Sequence, residues 1–347
     1  MNPKTKFDGQ EGFSIVEMLI AITAMVVVSS AVFSLMGSSM RISTAAYEIT
    51  DAQENLRTAQ EFINRDLMNA GDGLNSINNI LVTPFFQQNY LTLTPVNGSR
   101  LAILTSDNSV PAGTVVRGSN PTTTVRSDRG LTDRQTILEI DHTFTPEVTP
   151  LAINSDGDKV TITGTEAGRF RVGEIYFLTS ANGATFGTIT DISPNGANTN
   201  LEFATGDTFG LNVSGPGGNI EQISEGGTIA TSLRRMKIIH YYVNSSGLLM
   251  RRVFGVQGTG FTESAIAEHV LNVQFVYSLS LTDSSGNVVQ PTPTLSTAEQ
   301  QTAVRQVEVT VTVETARPLA NGLAQLSMTT ATSVRNMQFR QARQPTA

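Results

Sequence analysis

FSIVEMLIAITAMVVVSSAVFSLM, residues Phe13 to Met36, decides how this chain is to be read. The run is 24 residues long and carries one charge, Glu17. As an α-helix rising ~1.5 Å per residue it reaches about 36 Å, enough to cross a hydrocarbon core of about 30 Å. A cleaved secretory signal has a shorter apolar stretch followed by a small-residue cleavage site. The pattern therefore predicts a membrane-spanning helix with a carboxylate inside it.

Glu17 is the informative residue. A carboxylate at the centre of a membrane helix costs roughly 2.5–3.5 kcal/mol on insertion scales. Two readings account for it. In one it lies near the interface and reaches water. In the other it finds a positive partner inside an assembly. A cut after Gly12 would give Phe13 a charged amine and make Glu17 the fifth residue of the shortened chain. The amine of one subunit would then pair with Glu17 of its neighbour. Low dielectric strengthens such a pair and penalises a misregistered one.

The run Gly12-Phe13-Ser14-Ile15-Val16-Glu17 resembles the class III signal of type IV prepilins and pseudopilins. The resemblance implies a leader of residues 1–12, cleavage after Gly12 by the prepilin peptidase, N-methylation of Phe13, and Glu17 as the assembly carboxylate. Ser14 stands where many members have Thr. Lys4 and Lys6 suit a cytoplasmic amino terminus, although Asp8 and Glu11 cancel their charge.

A helical pattern continues past the apolar run. Ala45, Ile49, Ala52, Leu56, Ala59, Ile63 and Leu67 recur at steps of three or four, and Gly71 and Gly73 supply a stop signal. One helix from about Phe13 to Asn69 fits, as do two helices with a break near Gly37 to Ser39, where Gly and Ser favour a bend. The phrase Gln60 to Gly71 looks like the end of this helix in the PilW-like group of large minor pilins. In that group the second half of the helix packs on a β-sheet. Arg65 beside Asp66 reads as a surface or capping pair.

From Leu81 onward, short β-type runs alternate with turn residues. Strands are predicted at 101–104, 136–140, 159–163, 174–179, 185–192 and 201–204. After a Gly-rich stretch at 206–227, Lys237 to Val243 and Leu248 to Phe254 read as a hairpin, followed by His269 to Tyr277. Val307, Val309, Val311 and Val313 alternate with polar residues, the clearest period-two strand in the chain. A final strand is predicted within 327–339. The segment Tyr241 to Phe275 also resembles the PilW-like carboxy region. The expected fold is α+β: residues 13–36 a membrane and assembly helix, 37–71 its amphipathic continuation, 72–232 a β-rich inserted part of the head, and 233–347 an antiparallel sheet receiving the helix.

Composition agrees with a β-rich head of secreted type. Charged residues are 15% and Gly counts 29. The net charge of −7 gives no bias toward nucleic acid, and the absence of Cys excludes disulfides and zinc–thiolate sites. No HExxH, GxSxG or P-loop pattern occurs, so no catalytic, cofactor or metal site is expected. His142, His240 and His269 read as structural or surface residues. Asn154-Ser155-Asp156-Gly157-Asp158 reads as an Asp-Gly turn; its spacing fails the calcium-loop pattern. Arg234-Arg235 and Arg251-Arg252 read as solvated hairpin edges, with a basic patch as the alternative.

The expectation is a PilW-like minor pilin, not an enzyme. It would be a single-pass inner-membrane protein with its head outside the cytoplasm, later joining the pilus at the filament tip. Its implied partners are the prepilin peptidase, other major and minor pilins, the inner-membrane assembly platform and membrane lipid. A J-like pseudopilin of type II secretion shares the same amino-terminal logic. A membrane-anchored surface enzyme or binding protein is the alternative of another class.

Overall fold

Residues 15–69 contain no proline and one glycine, so nothing in the backbone chemistry interrupts a helix. In the computed structural model they form a single helix, α1 (Ile15–Asn69), which continues through Gly37 without a break. The structure describes residues 14–74, 80–91, 100–111, 130–145, 147–180, 182–213, 215, 218, 220–224, 232–256 and 260–337. The chain divides into two compact units, residues 1–51 and 52–347.

The described part of the first unit is the amino-terminal portion of α1. Its most apolar window has a mean hydropathy of 2.3, and none of that window is buried within the chain. It is long and apolar enough to cross a membrane. Thr23 donates its hydroxyl to the Leu19 carbonyl at 2.8 Å, so the one threonine within the apolar run brings no unpaired donor into it.

The second unit is strand-rich. Its strands are β1 (Ile80–Leu81), β2 (Arg100–Leu101), β3 (Leu104–Pro111), β4 (Leu131–Ile140), β5 (Ala152–Ile153), β6 (Lys159–Thr163), β7 (Ile175–Ser180) and β8 (Gly183–Thr188). There follow β9 (Asp191–Asn195), β10 (Asn198–Glu202), β11 (Ser232–Val243), β12 (Leu249–Phe254), β13 (Phe261–Ala267), β14 (Val270–Leu279), β15 (Val304–Glu314) and β16 (Gln325–Ser333). A nine-stranded sheet runs β13-β12-β11-β7-β8-β1-β2, with β4 also paired to β11 and β3 paired to β4. A four-stranded sheet runs β5-β6-β10-β9 and a three-stranded sheet β14-β15-β16. Pairing is antiparallel apart from β1 with β8.

The alternating valines of β15 dictate where the helix sits. Val307, Val309, Val311 and Val313 are fully buried, and so are Ala59, Ile63 and Leu67 of α1; all belong to one core cluster. Polar side chains fix the register of this packing. Gln60 donates to the carbonyls of Val309 (3.0 Å) and Met328 (2.9 Å), and Thr332 donates to Asn64 at 2.7 Å. The expected antiparallel sheet packed under the second half of the helix is thus present. The helix stops at Gly71 and Gly73, both at positive φ. A Cβ on Gly73 would lie 2.7 Å from Ile140 Cγ1, so that stop is also a close packing contact.

β11 is the central strand. It pairs with β12, β4 and β7, so strands from both sides of position 232 share one sheet. Several predicted strands have shifted limits. The run 185–192 splits into β8 and β9 because Ile189 and Thr190 turn the chain, Thr190 pairing with the Glu202 carbonyl. In β14 the core residues are Val273, Phe275, Tyr277 and Leu279. A register shift between Val270 and Asn272 buries Val270 and leaves Leu271 half-buried.

Candidate functional site

Gly12 and Phe13 lie outside the described residues. Glu17 occupies the first turn of α1 and is exposed. Ser14 is the N-cap, since its carbonyl accepts the first helical bond from Met18 N–H at 3.1 Å. The Ser14 hydroxyl accepts from Val16 N–H at 3.3 Å, and the Glu17 carboxylate accepts from Ser14 N–H at 3.1 Å. The Ser14 hydroxyl thus caps the second helical amide, while the N3 carboxylate of Glu17 satisfies the N-cap amide and faces the positive end of the helix dipole. Within the single chain, Glu17 therefore has a local partner in addition to the two environments its position suggested.

The paired arginines of the head depart from expectation. Asp66 keeps the expected pair with Arg65, at 3.5 Å, but it is buried and also accepts from Arg251 Nε and from Tyr241 OH, both at 2.6 Å. Burial and the Asp66 charge push the Tyr241 hydroxyl well above its ordinary value. Arg235 bridges Asp141 (2.7 Å) and Glu174 (3.1 Å), and Arg234 pairs with Glu147. Arg252 is fully buried against Glu263 (2.7 Å) and lies over the Phe261 ring at 4.3 Å. Each of the four guanidiniums faces a carboxylate: Arg252 is fully buried, where a charge requires a partner, whereas the Arg234–Glu147 pair stays partly exposed.

His240 lies in a buried polar layer with Arg134, Thr136, Tyr242 and Arg252. Its Nδ1 is hydrogen-bonded to Thr136 Oγ1 at 3.0 Å, while Nε2 has no hydrogen-bond partner. Burial, and then the charges of Arg134 and Arg252, hold its pKa well below the ordinary value. An unfolded histidine takes up a proton near pH ~6.5, whereas His240 stays neutral in the fold. Its contribution is complete above that pH and is lost as pH falls, by up to about 1.4 kcal/mol per unit until His240 itself protonates. Asp107 and Asp133, raised by burial, oppose this at the acid end because the folded state protonates them first. Urea midpoints at pH 7.5 and 5.5 are expected to show this loss, and His240→Gln to flatten it. An unchanged slope in the variant would rule His240 out as the source.

His142 bonds to Asp72 at 2.9 Å on the surface, and His269 sits at a φ of 55° in the turn between β13 and β14. Asn154 to Asp158 is the expected turn: Gly157 has a φ of 64° and Asn154 Oδ1 accepts from Asp158 and Lys159 N–H. Among the described residues no group of three or more His, Asp or Glu could hold a metal ion.

Comparison with known proteins finds no matching family model, no matching curated protein and no similar solved structure. The functional reading therefore stands on the chain's own chemistry. Its centre is Glu17 and the apolar helix that follows.

Proposed function

We propose that this chain is a minor pilin of the PilW-like kind, a structural subunit stored in the inner membrane and drawn into a type IV pilus. The observation that carries the proposal is a single carboxylate in the first turn of a membrane-length helix whose apolar window has no cover within its own chain. A helix of that kind is satisfied by lipid while stored and by neighbouring helices once polymerised.

The steps are those implied by the resemblance of residues 12–17 to a prepilin signal. The precursor inserts with residues 1–12 in the cytoplasm and the head outside. The prepilin peptidase cuts after Gly12 and methylates Phe13. The new amine of one subunit then meets Glu17 of the next, replacing the intrachain amide bond by an ion pair of lower dielectric surroundings. The bulk of the head restricts the subunit to the filament tip. The J-like pseudopilin of type II secretion would use the same first steps.

Mass spectrometry of the amino terminus in cells with and without the prepilin peptidase tests this. A chain beginning at N-methylated Phe13 is expected in the first and the full precursor in the second. A functional protein that keeps residues 1–12 would falsify the proposal.

A further inference from the structure

Glycine has no side chain to hinder its own amide nitrogen. An asparagine in front of it is therefore open to attack on its side-chain carbonyl by the next residue's nitrogen, which closes a succinimide ring and expels ammonia. Asn-Gly occurs four times in the chain, at residues 97–98, 182–183, 195–196 and 321–322. The first lies outside the described residues. Asn182, Asn195 and Asn321 are all exposed, so access to water does not separate them. The bonding of the glycine nitrogen does.

Gly183 closes the hairpin of β7 and β8. It pairs with Ser180 across a two-residue turn, and such a pair exchanges both backbone bonds, so the Ser180 carbonyl holds Gly183 N–H. Gly322 N–H donates to the Leu319 carbonyl at 3.1 Å, and Leu319 N–H returns the bond at 2.7 Å. Gly196 stands elsewhere in its turn. Asn195 pairs with Asn198, so Gly196 is the first of the two turn residues, and its N–H takes no part in closing the hairpin of β9 and β10. No described residue accepts from it. Gly196 has a φ of 64°, the left-handed first position of a type II′ turn. A Cβ there would meet nothing within 4 Å, so the Gly196 peptide has room to swing toward the Asn195 side chain.

We propose that Asn195 is a site of spontaneous deamidation in the folded protein, and that Asn182 and Asn321 are spared. The Gly196 nitrogen bonds to Asn195 Cγ and the Cγ–Nδ2 bond breaks. The Gly196 amide proton passes through solvent to the departing nitrogen, which leaves as ammonia. Water then opens the ring at either carbonyl, and no oxidant or reductant takes part. One opening gives aspartate; the other gives isoaspartate, whose main chain runs through Cγ. Aspartate puts a carboxylate where Asn195 Nδ2 now donates to Asn200 Oδ1 at 3.2 Å, an oxygen that also accepts from the Thr161 hydroxyl at 2.9 Å. Isoaspartate lengthens the main chain by a methylene, so the Asn195–Asn198 pair no longer meets. Either product adds a negative charge and loosens the hairpin at the edge of the sheet β5-β6-β10-β9. The site is independent of the pilin proposal.

The test incubates the full chain at mildly alkaline pH, folded in detergent in one sample and unfolded in urea in another. Peptide mapping by mass spectrometry follows asparagine, aspartate and isoaspartate at positions 182, 195 and 321. In the folded sample Asn195 is expected to convert on the order of tenfold or more faster than Asn182 and Asn321. In urea that preference disappears, because all three glycine nitrogens are released from the fold. Equal rates in the folded sample, or a faster Asn182 or Asn321, overturn the proposal. So does an Asn195 that stays intact in the folded sample while the urea sample converts. A preference that survives in urea also overturns it, since the cause would then be the flanking sequence and not the turn.

Discussion

Asp66→Ala is expected to destabilise the head by about 3–5 kcal/mol, the usual consequence of removing one member of a buried ion pair. The carboxylate is 3% exposed and holds two groups from two strands, Tyr241 of β11 and Arg251 of β12. Alanine leaves a guanidinium and a phenol hydroxyl without their acceptor in the seam between helix and sheet. Burial alone would draw Arg251 down; the hydrogen bond and charge of Asp66 reverse that and raise it. Asp66→Asn keeps an acceptor for Tyr241 and should lose less. Asp66→Leu combined with Arg251→Met removes both charges and should recover most of the loss, since apolar replacement of a whole buried pair is often close to neutral. Urea unfolding followed by circular dichroism decides this. A loss below about 1 kcal/mol for Asp66→Ala would mean that water already screens the pair.

Glu17→Ala is expected to leave membrane insertion intact and to reduce incorporation into the filament on the order of tenfold or more, a factor that needs about 1.4 kcal/mol lost from docking. The capping bond to Ser14 N–H makes a second variant decisive. Glu17→Gln keeps an oxygen able to accept that bond but carries no charge. If assembly needs the ion pair, Gln fails as Ala does. If Glu17 serves chiefly to start the helix, Gln restores assembly. Immunoblotting of sheared pili against the membrane fraction separates these outcomes, and normal piliation by both variants would remove Glu17 from the assembly step.

The regular elements were legible where periodicity was uninterrupted. The period-two valines of β15 and the three-to-four spacing of Ala52 to Leu67 state both partners of the main packing surface, and the structure buries those residues. The first half of β4 was not legible. Thr132, Asp133, Arg134 and Gln135 precede the strand predicted at 136–140, yet all four belong to β4 and are buried. They sit in a strand because other chain segments satisfy them: Asp133 takes amides from Ser109 and Phe275, and the Tyr277 hydroxyl donates to Gln135. β13 was missed for a related reason, since Thr262, Glu263 and Ser264 carry little apolar signal and one of them answers the buried Arg252.

Local patterning alone thus determined a membrane-length helix with one carboxylate in its first turn, an amphipathic continuation, and the principal strand beneath it. These depend on the order of apolar and polar residues along the chain, which any reader of the sequence has. The partners of Asp66, Arg235, Arg251 and Arg252 and the orphan nitrogen of His240 were decided only in three dimensions. A charge becomes a buried clamp or a solvated edge according to what distant residues place beside it, and nothing in the neighbouring sequence records that.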